Sequence, residues 1–267
     1  MKFKPMKKLL LFLLLAGPLA YGQQIKPELW NKPWKASWIT YAENPNSVYS
    51  LQGLKDYGVF KFQKSVSLPE KPAKCIIHVS GDNRYKLYIN GTWVSAGPAR
   101  GDLYFWNFET LDIAPFLKSG ENTIEALVWN EGKGKSEAQI SYATGFILQA
   151  DESSQAVFNT SMDWKVAKNM GVSPLAVRVP GYYVAGAGEL QEYAKGWSTF
   201  ISAKSLGPGL TKGASIDARG WMLTPSSIPA MELTTQRFAS IRKGEGDLIH
   251  GKSLTVPANS SVDLWID

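Results

Sequence analysis

The dipeptide Asn90-Gly91 lies between two runs of strand-forming residues, and it constrains the fold more than any other feature of the sequence. Asparagine and glycine tolerate the positive φ that the two central residues of a type I′ hairpin require. Every second residue from Tyr85 to Ile89 is apolar or aromatic, and this period of two is typical of a half-buried strand. Residues 92–94 begin the returning strand. The sequence therefore predicts a β-hairpin here.

Segments with the same period recur along the chain and are separated by turn residues, with no long amphipathic helix between them. We predict further strands at residues 59–66, 74–80, 123–130, 139–149 and 155–159, and one short helical turn at residues 112–117. Short strands at such spacing are typical of an antiparallel β-sandwich. The predicted fold class is therefore all-β.

The segments before and after these strands are predicted to be less regular or to belong to a second domain. Trp30, Trp34 and Trp38 are interpreted as packing anchors of an N-terminal strap. Residues 163–232 are rich in glycine and proline and predict an irregular extension packed on the sandwich, which thus covers residues 23–232. Residues 233–267 contain two strand-like runs, 238–242 and 261–266, and are predicted to be the opening strands of a second, truncated β domain.

Residues 1–22 have the pattern of a secretory signal peptide: four lysines, an apolar core at residues 9–15 and small residues before Gln23. The apolar core is too short for a spanning helix, which needs roughly 20 residues. We expect cleavage before Gln23, no membrane attachment afterwards, and a periplasmic or extracellular location. The alternative is that this segment is kept as an anchor.

Net charge argues against a nucleic-acid partner. Removing residues 1–22 takes away four lysines and no acid, so the formal charge falls from +6 to +2. The remainder has no lysine or arginine stripe of the kind that nucleic-acid binding needs. Cys75 is the only cysteine, which excludes an intrachain disulfide, and its apolar surroundings predict a buried small residue.

Common catalytic patterns are missing from the sequence. Cys75 and His78 are three positions apart, so on one strand their side chains point to opposite faces and cannot form a dyad. Glycosidases need two carboxylates at a set separation, and spacing along the sequence does not pair any of the acids. We expect each of them to be a turn or solvated acid: Asp82, Asp102, Glu109, Asp112, Glu189 and Glu192.

An ordered set of motifs resembles bacterial α-L-rhamnosidases of glycoside hydrolase family 78. The set includes Trp34–Ile39, Arg84–Gly91, the Gly-Pro-Ala-Arg-Gly-Asp loop at residues 97–102, and Gly220–Pro225. The resemblance runs from about Trp34 to the last residue. It implies the N-terminal, non-catalytic part of such an enzyme, without the (α/α)6 barrel that carries the catalytic carboxylates, so no catalytic residue is assigned here.

With this resemblance, the predicted fold is an antiparallel β-sandwich of the jelly-roll, galactose-binding-like type. The expected partners are L-rhamnose-containing carbohydrate and the missing catalytic barrel of the same polypeptide. Two alternatives stay open: a free-standing carbohydrate-binding module, and a complete small glycosidase that works from sandwich carboxylates. The last ranks lowest because no two acids are paired.

A ligand site is predicted where Asp82, Asn83, Trp106 and Asn130 converge at one rim of the sandwich. Calcium takes six to eight oxygen ligands. Asp82, Asn83 and Asn130 offer oxygens for the metal, sugar hydroxyls could complete the set, and the indole of Trp106 could pack on the sugar. The pattern also resembles the calcium-dependent rhamnose-binding modules of carbohydrate-binding module family 67. The alternative is that Asp82 and Asn83 only cap a turn and Trp106 is core.

Overall fold

The computed structural model describes residues 25–44, 47–51, 53–175, 188–211 and 220–229, and parts of the remainder, at residues 234, 240–244, 249–250, 253–254, 256, 258–259 and 264–266. Contacts between residues divide the chain into two units, Met1–Ala230 and Met231–Asp267. The proposed signal peptide, residues 1–22, lies outside the described residues. None of the described helices is long and apolar enough to cross a membrane.

Short strands make up most of the first unit. The first eight are β1 (Ser37–Thr40), β2 (Gly58–Leu68), β3 (Ile76–Asp82), β4 (Arg84–Ile89), β5 (Thr92–Gly97), β6 (Trp106–Asp112), β7 (Gly120–Asn130) and β8 (Gly145–Ala150). The next seven are β9 (Lys165–Lys168), β10 (Val172–Pro174), β11 (Glu189–Gln191), β12 (Ile201–Ser202), β13 (Lys204–Pro208), β14 (Leu210–Thr211) and β15 (Met222–Pro225). The helical segments described are α1 (Glu28–Asn31), α2 (Ser47–Ser50) and the 3-10 turns Ala114–Phe116, Gly132–Gly134, Ser153–Phe158 and Tyr193–Lys195.

Two large sheets pack against each other, which confirms the predicted all-β sandwich. One sheet has the strand order β13-β1-β8-β3-β6-β15-β14 and the other β12-β9-β2-β7-β4-β5, while β10 and β11 pair by themselves. The stacked rings of Phe62 and Phe146, 5.8 Å apart, join the two sheets across the core. Pairing is antiparallel except that β15 runs parallel to both β6 and β14.

The predicted hairpin is confirmed. β4 and β5 pair on either side of Asn90-Gly91, whose φ angles of 51° and 78° are both positive. The Asn90 side chain also ties the turn to β7: its Oδ1 accepts from the Thr123 amide at 3.0 Å, and its Nδ2 donates to Asn122 Oδ1 at 2.9 Å. Asn90 thus serves both the turn and the neighbouring strand.

The two sheets differ in how many of their faces are covered. β4 and β7 bury alternate residues, so the six-stranded sheet has one solvated face. β3 and β8 are buried along their whole length, because a second apolar cluster covers the outer face of the seven-stranded sheet. Trp34 and Trp38 belong to this cluster, which confirms them as packing anchors. The side chain of Trp30 is outside the described part.

Three stretches differ from the sequence-based expectation. The strand predicted at residues 155–159 is wrong, since residues 153–158 form a 3-10 turn that buries Phe158 in the core. Of the predicted strand 139–149, only residues 145–149 are extended, as part of β8. The glycine-rich stretch 163–232 contributes strands β9 and β12–β15 to the two sheets. Strands of two to five residues are too short to show a periodicity in the sequence.

The second unit contains two described strand pairs. β16 (Ile241–Gly244), β17 (Ile249–His250), β18 (Ser253–Leu254) and β19 (Leu264–Ile266) are its strands. β16 pairs with β19, and β17 with β18, both antiparallel. Residues 238–239 and 261–263 of the two predicted runs lie outside the described residues.

We predict that Asn90→Ala lowers the free energy of unfolding by about 2–4 kcal/mol, since alanine resists positive φ and cannot make the bonds to Asn122 and Thr123. Asn90→Gly should lose about half as much, because glycine keeps the backbone angle. Urea denaturation followed by circular dichroism measures both. Equal losses in the two variants would contradict a role for the positive φ.

Candidate functional site

Asp82, the last residue of β3, is fully buried and holds three separate parts of the fold. Its Oδ2 accepts hydrogen bonds from the amides of Tyr142 (2.7 Å) and Ala143 (3.3 Å) and from the indole Nε1 of Trp221 (2.9 Å). Its Oδ1 accepts from Asn83 Nδ2 at 2.7 Å. Burial raises the pKa of Asp82, although these hydrogen bonds oppose the shift.

Asn83 and Asn130 fix the neighbouring turn after β7. Asn83 Oδ1 accepts from the amide of Glu131 at 2.8 Å, and Asn130 Oδ1 accepts from the amide of Gly132 at 2.8 Å. Both asparagines are 1% exposed. The structure therefore brings together the three residues that the sequence assigned to oxygen ligation, as a buried hydrogen-bonded group.

Trp106 lies beside this group in the outer core cluster. It is 2% exposed, and its ring packs edge-on against Trp221 with the centroids 6.4 Å apart. Trp221 in turn stacks on Trp38 at 4.0 Å. The indole face of Trp106 is therefore covered by protein, as the alternative interpretation of this residue expected.

The side-chain oxygens of Asp82, Asn83 and Asn130 are already used in hydrogen bonds within the protein. Oδ1 of Asn83, Oδ1 of Asn130 and both carboxylate oxygens of Asp82 each accept a hydrogen bond from a protein donor, and all three side chains are at least 99% buried. Calcium needs six to eight oxygens. The arrangement described does not offer that shell, and the calcium site stays a prediction from the sequence.

A cleft of about 290 Å³ opens at the same end of the sandwich, between the end of β1 and the starts of β2 and β8. Its walls are aromatic and its polar groups carry both charges; the lining includes Tyr41, Glu43, Asp56, Tyr57, Phe60, Thr144 and Lys168. Such a mixture of aromatic faces and a few polar groups is typical of small-molecule sites, although the volume is at the lower end of their range.

The buried group around Asp82 positions two walls of this cleft. Asp82 binds the amides of residues 142 and 143, directly before Thr144. Asn130 holds Gly132, where a Cβ atom would come within 2.6 Å of the Tyr57 amide nitrogen. Glycine is needed there because of this close approach and the φ of +54°. The residues predicted as ligands thus lie behind the cleft and shape it.

Sequence reasoning did not find the cleft residues. Tyr41, Glu43, Asp56 and Tyr57 lie before the first predicted strand, where they form no motif and follow no period. Thr144 directly precedes β8 and Lys168 ends β9, both far along the chain. Only the packing of the two sheets brings these residues to one opening.

Glu109 is a second acid, half-buried between the two sheets. Tyr85 OH donates to its Oε2 at 2.9 Å and the Ala99 amide to its Oε1 at 2.8 Å. Burial raises the pKa of Glu109 to about 7, against the effect of these donors. The expectation of a turn or solvated acid is therefore wrong for Glu109. Asp102 and Asp112 do cap turns through backbone amides.

Asp82 and Glu109 lie on opposite faces of the seven-stranded sheet. Glu109 stands opposite Val79, which belongs to the core between the sheets. Asp82 is three residues beyond Val79, so its side chain takes the other face.

The same alternation separates Cys75, in the inner core, from His78, which packs on Trp34 at the outer face. Neither pair shares a reaction centre, and the predicted separation of Cys75 and His78 is confirmed.

Cys75 and His78 are inert by environment. The thiol is buried, as predicted, and burial raises its pKa to about 12. Burial lowers the pKa of His78, whose ring nitrogens lie 2.9 Å from Thr110 Oγ1 and 3.3 Å from Asp151 Oδ1. Within the described residues, no group of three or more His, Cys, Asp and Glu side chains could hold a metal ion.

Solved structures similar to this chain include two rhamnosidases, one of them of glycoside hydrolase family 78. The rhamnosidase of Bacillus sp. GL1 superposes with a TM-score of 0.63 at 21% identity, covering 80% of this chain and 22% of that chain. The α-L-rhamnosidase from Dictyoglumus thermophilum gives 0.48 at 18% identity, covering 78% and 24%. A lectin from Pleurotus ostreatus gives 0.38 at 18% identity, covering 68% and 45%.

The resemblance noted in the sequence is thereby confirmed at the level of the fold. This chain spans less than a quarter of the length of the two rhamnosidases. No protein-family model matches the sequence, and no curated protein matches it.

We predict that Asp82→Ala destabilises the protein by about 3 kcal/mol or more, because it leaves four donors without an acceptor, three of them in fully buried bonds, at a cost of about 1–3 kcal/mol for each buried donor. Asp102→Ala is the matched control: Asp102 also accepts from two backbone amides, but it is exposed to water. Thermal and urea unfolding measure the difference. Equal losses in both variants would show that burial of the Asp82 bonds is unimportant.

Glu109 should make the protein less stable as the pH rises. Its folded-state pKa of about 7 lies above the ordinary 4.5, so between these values the folded state holds a proton that the unfolded state has lost. Stability then falls with rising pH, by about 2–3 kcal/mol across this window. The Glu109→Gln variant should lose this part of the pH dependence of the free energy of unfolding, measured by urea titrations at pH values from 4 to 8. An unchanged slope in the variant would refute the assignment.

Proposed function

We propose that this chain is a non-catalytic, carbohydrate-binding β-sandwich portion of an exported α-L-rhamnosidase that acts on rhamnose-containing glycans. The observation that carries the proposal is the fold shared with the rhamnosidase of Bacillus sp. GL1 over 80% of this chain but only 22% of that one. On this proposal the catalytic barrel belongs to the rest of the same polypeptide.

Asp82 and Glu109, the described acids whose pKa is raised by burial, are not arranged as a glycosidase pair. Glycosidases place two carboxyl groups roughly 5 to 9.5 Å apart on either side of one glycosidic bond. Asp82 and Glu109, the two acids with pKa values raised by burial, face opposite sides of a sheet, with their oxygens bonded to protein donors. A substrate bond cannot lie between them.

Export is part of the same proposal. It rests on the four lysines, the apolar core at residues 9–15 and the small residues before Gln23. Release into the periplasm or the medium would place the sandwich where glycans are found. A single buried cysteine is compatible with such a compartment, since it cannot form an intrachain disulfide.

Binding and turnover together test the proposal. Titration calorimetry of the full chain with L-rhamnose and with rhamnose-containing oligosaccharides should show binding, and an aryl α-L-rhamnoside should not be hydrolysed. Repeating the titration with calcium and with a chelator tests the predicted metal dependence. Binding that ignores the chelator would remove calcium from the proposal.

Two results would overturn it: no binding to any rhamnose-containing ligand, or release of rhamnose that is lost when an acid of the sandwich is replaced. The second result would favour the alternative of a small, complete glycosidase.

A further inference from the structure

Thr144, in the wall of the cleft, has a buried hydroxyl group without a hydrogen-bond partner among the described residues. The residue is 2% exposed. Its backbone is fully engaged: the amide donates to Leu54 O at 2.6 Å, and the carbonyl accepts from Thr40 Oγ1 at 2.7 Å. A buried hydroxyl without a partner costs about 1–3 kcal/mol, which a ligand hydroxyl in the cleft would recover.

The other polar groups of the cleft can serve the hydroxyl groups of a ligand. The carboxylates of Glu43 and Asp56 accept hydrogen bonds, and the ammonium group of Lys168 donates them. Tyr41 OH donates to Glu43 Oε1 at 2.5 Å, which orients that carboxylate. Two carboxylates and one ammonium group disfavour an anionic ligand, so the lining suits a neutral one.

The aromatic residues supply the apolar part of the lining. Tyr41 and Tyr57 are half-buried, and Tyr41 packs on Phe60 with the ring centroids 5.6 Å apart. Tyr57 OH lies 3.4 Å from Glu189 Oε2, and burial raises the pKa of Tyr57 to about 12, so its phenol stays neutral. A flat ring beside acceptors and donors suits a pyranose, which has apolar C–H faces and a rim of hydroxyls.

We infer that this cleft binds one neutral pyranose unit, with Thr144, Asp56 and Tyr57 contacting the sugar and Asp82 and Asn130 only positioning its walls. The inference rests on the proposed carbohydrate-binding function and assigns it a different place from the one predicted in the sequence. The size of the cleft, about 290 Å³, limits recognition to a single sugar or a chain end.

Thr144→Val is the sharpest test, because valine keeps the shape and removes only a hydroxyl that has no protein partner. The variant should unfold at a temperature no lower than that of the wild type, since it loses an unpaired buried hydroxyl, and it should bind sugar about tenfold more weakly. Tyr57→Ala and Asp56→Asn should weaken binding to a similar degree. Tyr104→Ala, at an exposed tyrosine outside the lining, is the matched control and should bind as the wild type does.

Calorimetry of the full chain with L-rhamnose, D-galactose and D-galacturonate supplies the readout. Weaker binding in all three cleft variants, with the control unchanged, supports the site. If the cleft variants bind sugar as tightly as the wild type does, this inference is overturned and the proposed function stays intact. Preference for D-galacturonate overturns the neutral ligand class. A wild type that binds no neutral sugar ends both proposals.

Discussion

The buried carboxylate of Asp82 is the contact on which this end of the sandwich depends. It joins the end of β3, the loop before β8 and the indole of Trp221, three segments separated by more than 50 residues along the chain. Burial penalises the charge, and four neutral donors offset part of that cost. An acid in this position holds loops in place that no apolar side chain could hold, because a carboxylate accepts hydrogen bonds from several amides at once.

The residues that shape the cleft are different from the residues that line it. Asp82, Asn83 and Asn130 are bonded to protein donors and closed to water, whereas Tyr57 and Asp56 are open to solvent at the cleft and the buried hydroxyl of Thr144 in its wall has no partner among the described residues. The buried amides and carboxylate orient the loops, and the rings and hydroxyl beyond them are free to meet a ligand. In binding sites of this kind, the residues behind the lining set its geometry and the lining itself sets the chemistry.

The two faces of the seven-stranded sheet explain why buried acids do not amount to a catalytic pair. The inner face packs on the six-stranded sheet, while Trp34, Trp38 and Trp221 cover the outer face. Each face buries one acid with a raised pKa, Glu109 inside and Asp82 outside. The sheet between them keeps their functions separate: one carboxyl group fastens the loop at Ala99, and the other the loop at Tyr142.

Local sequence patterns were sufficient to predict those turns and strands whose conformation depends on a few neighbouring residues. The positive φ of Asn90-Gly91 and the alternation of β2 and β7 followed from the sequence. Long-range packing decided the remainder. The short strands β12–β15 exist because neighbouring strands offer them partners, residues 153–158 turn to bury Phe158, and Trp106 is covered by Trp221. The sequence thus determined the local turns and the alternation of the long strands, and only the tertiary structure decided which distant residues meet and which of them face solvent, because both depend on segments far apart in the chain.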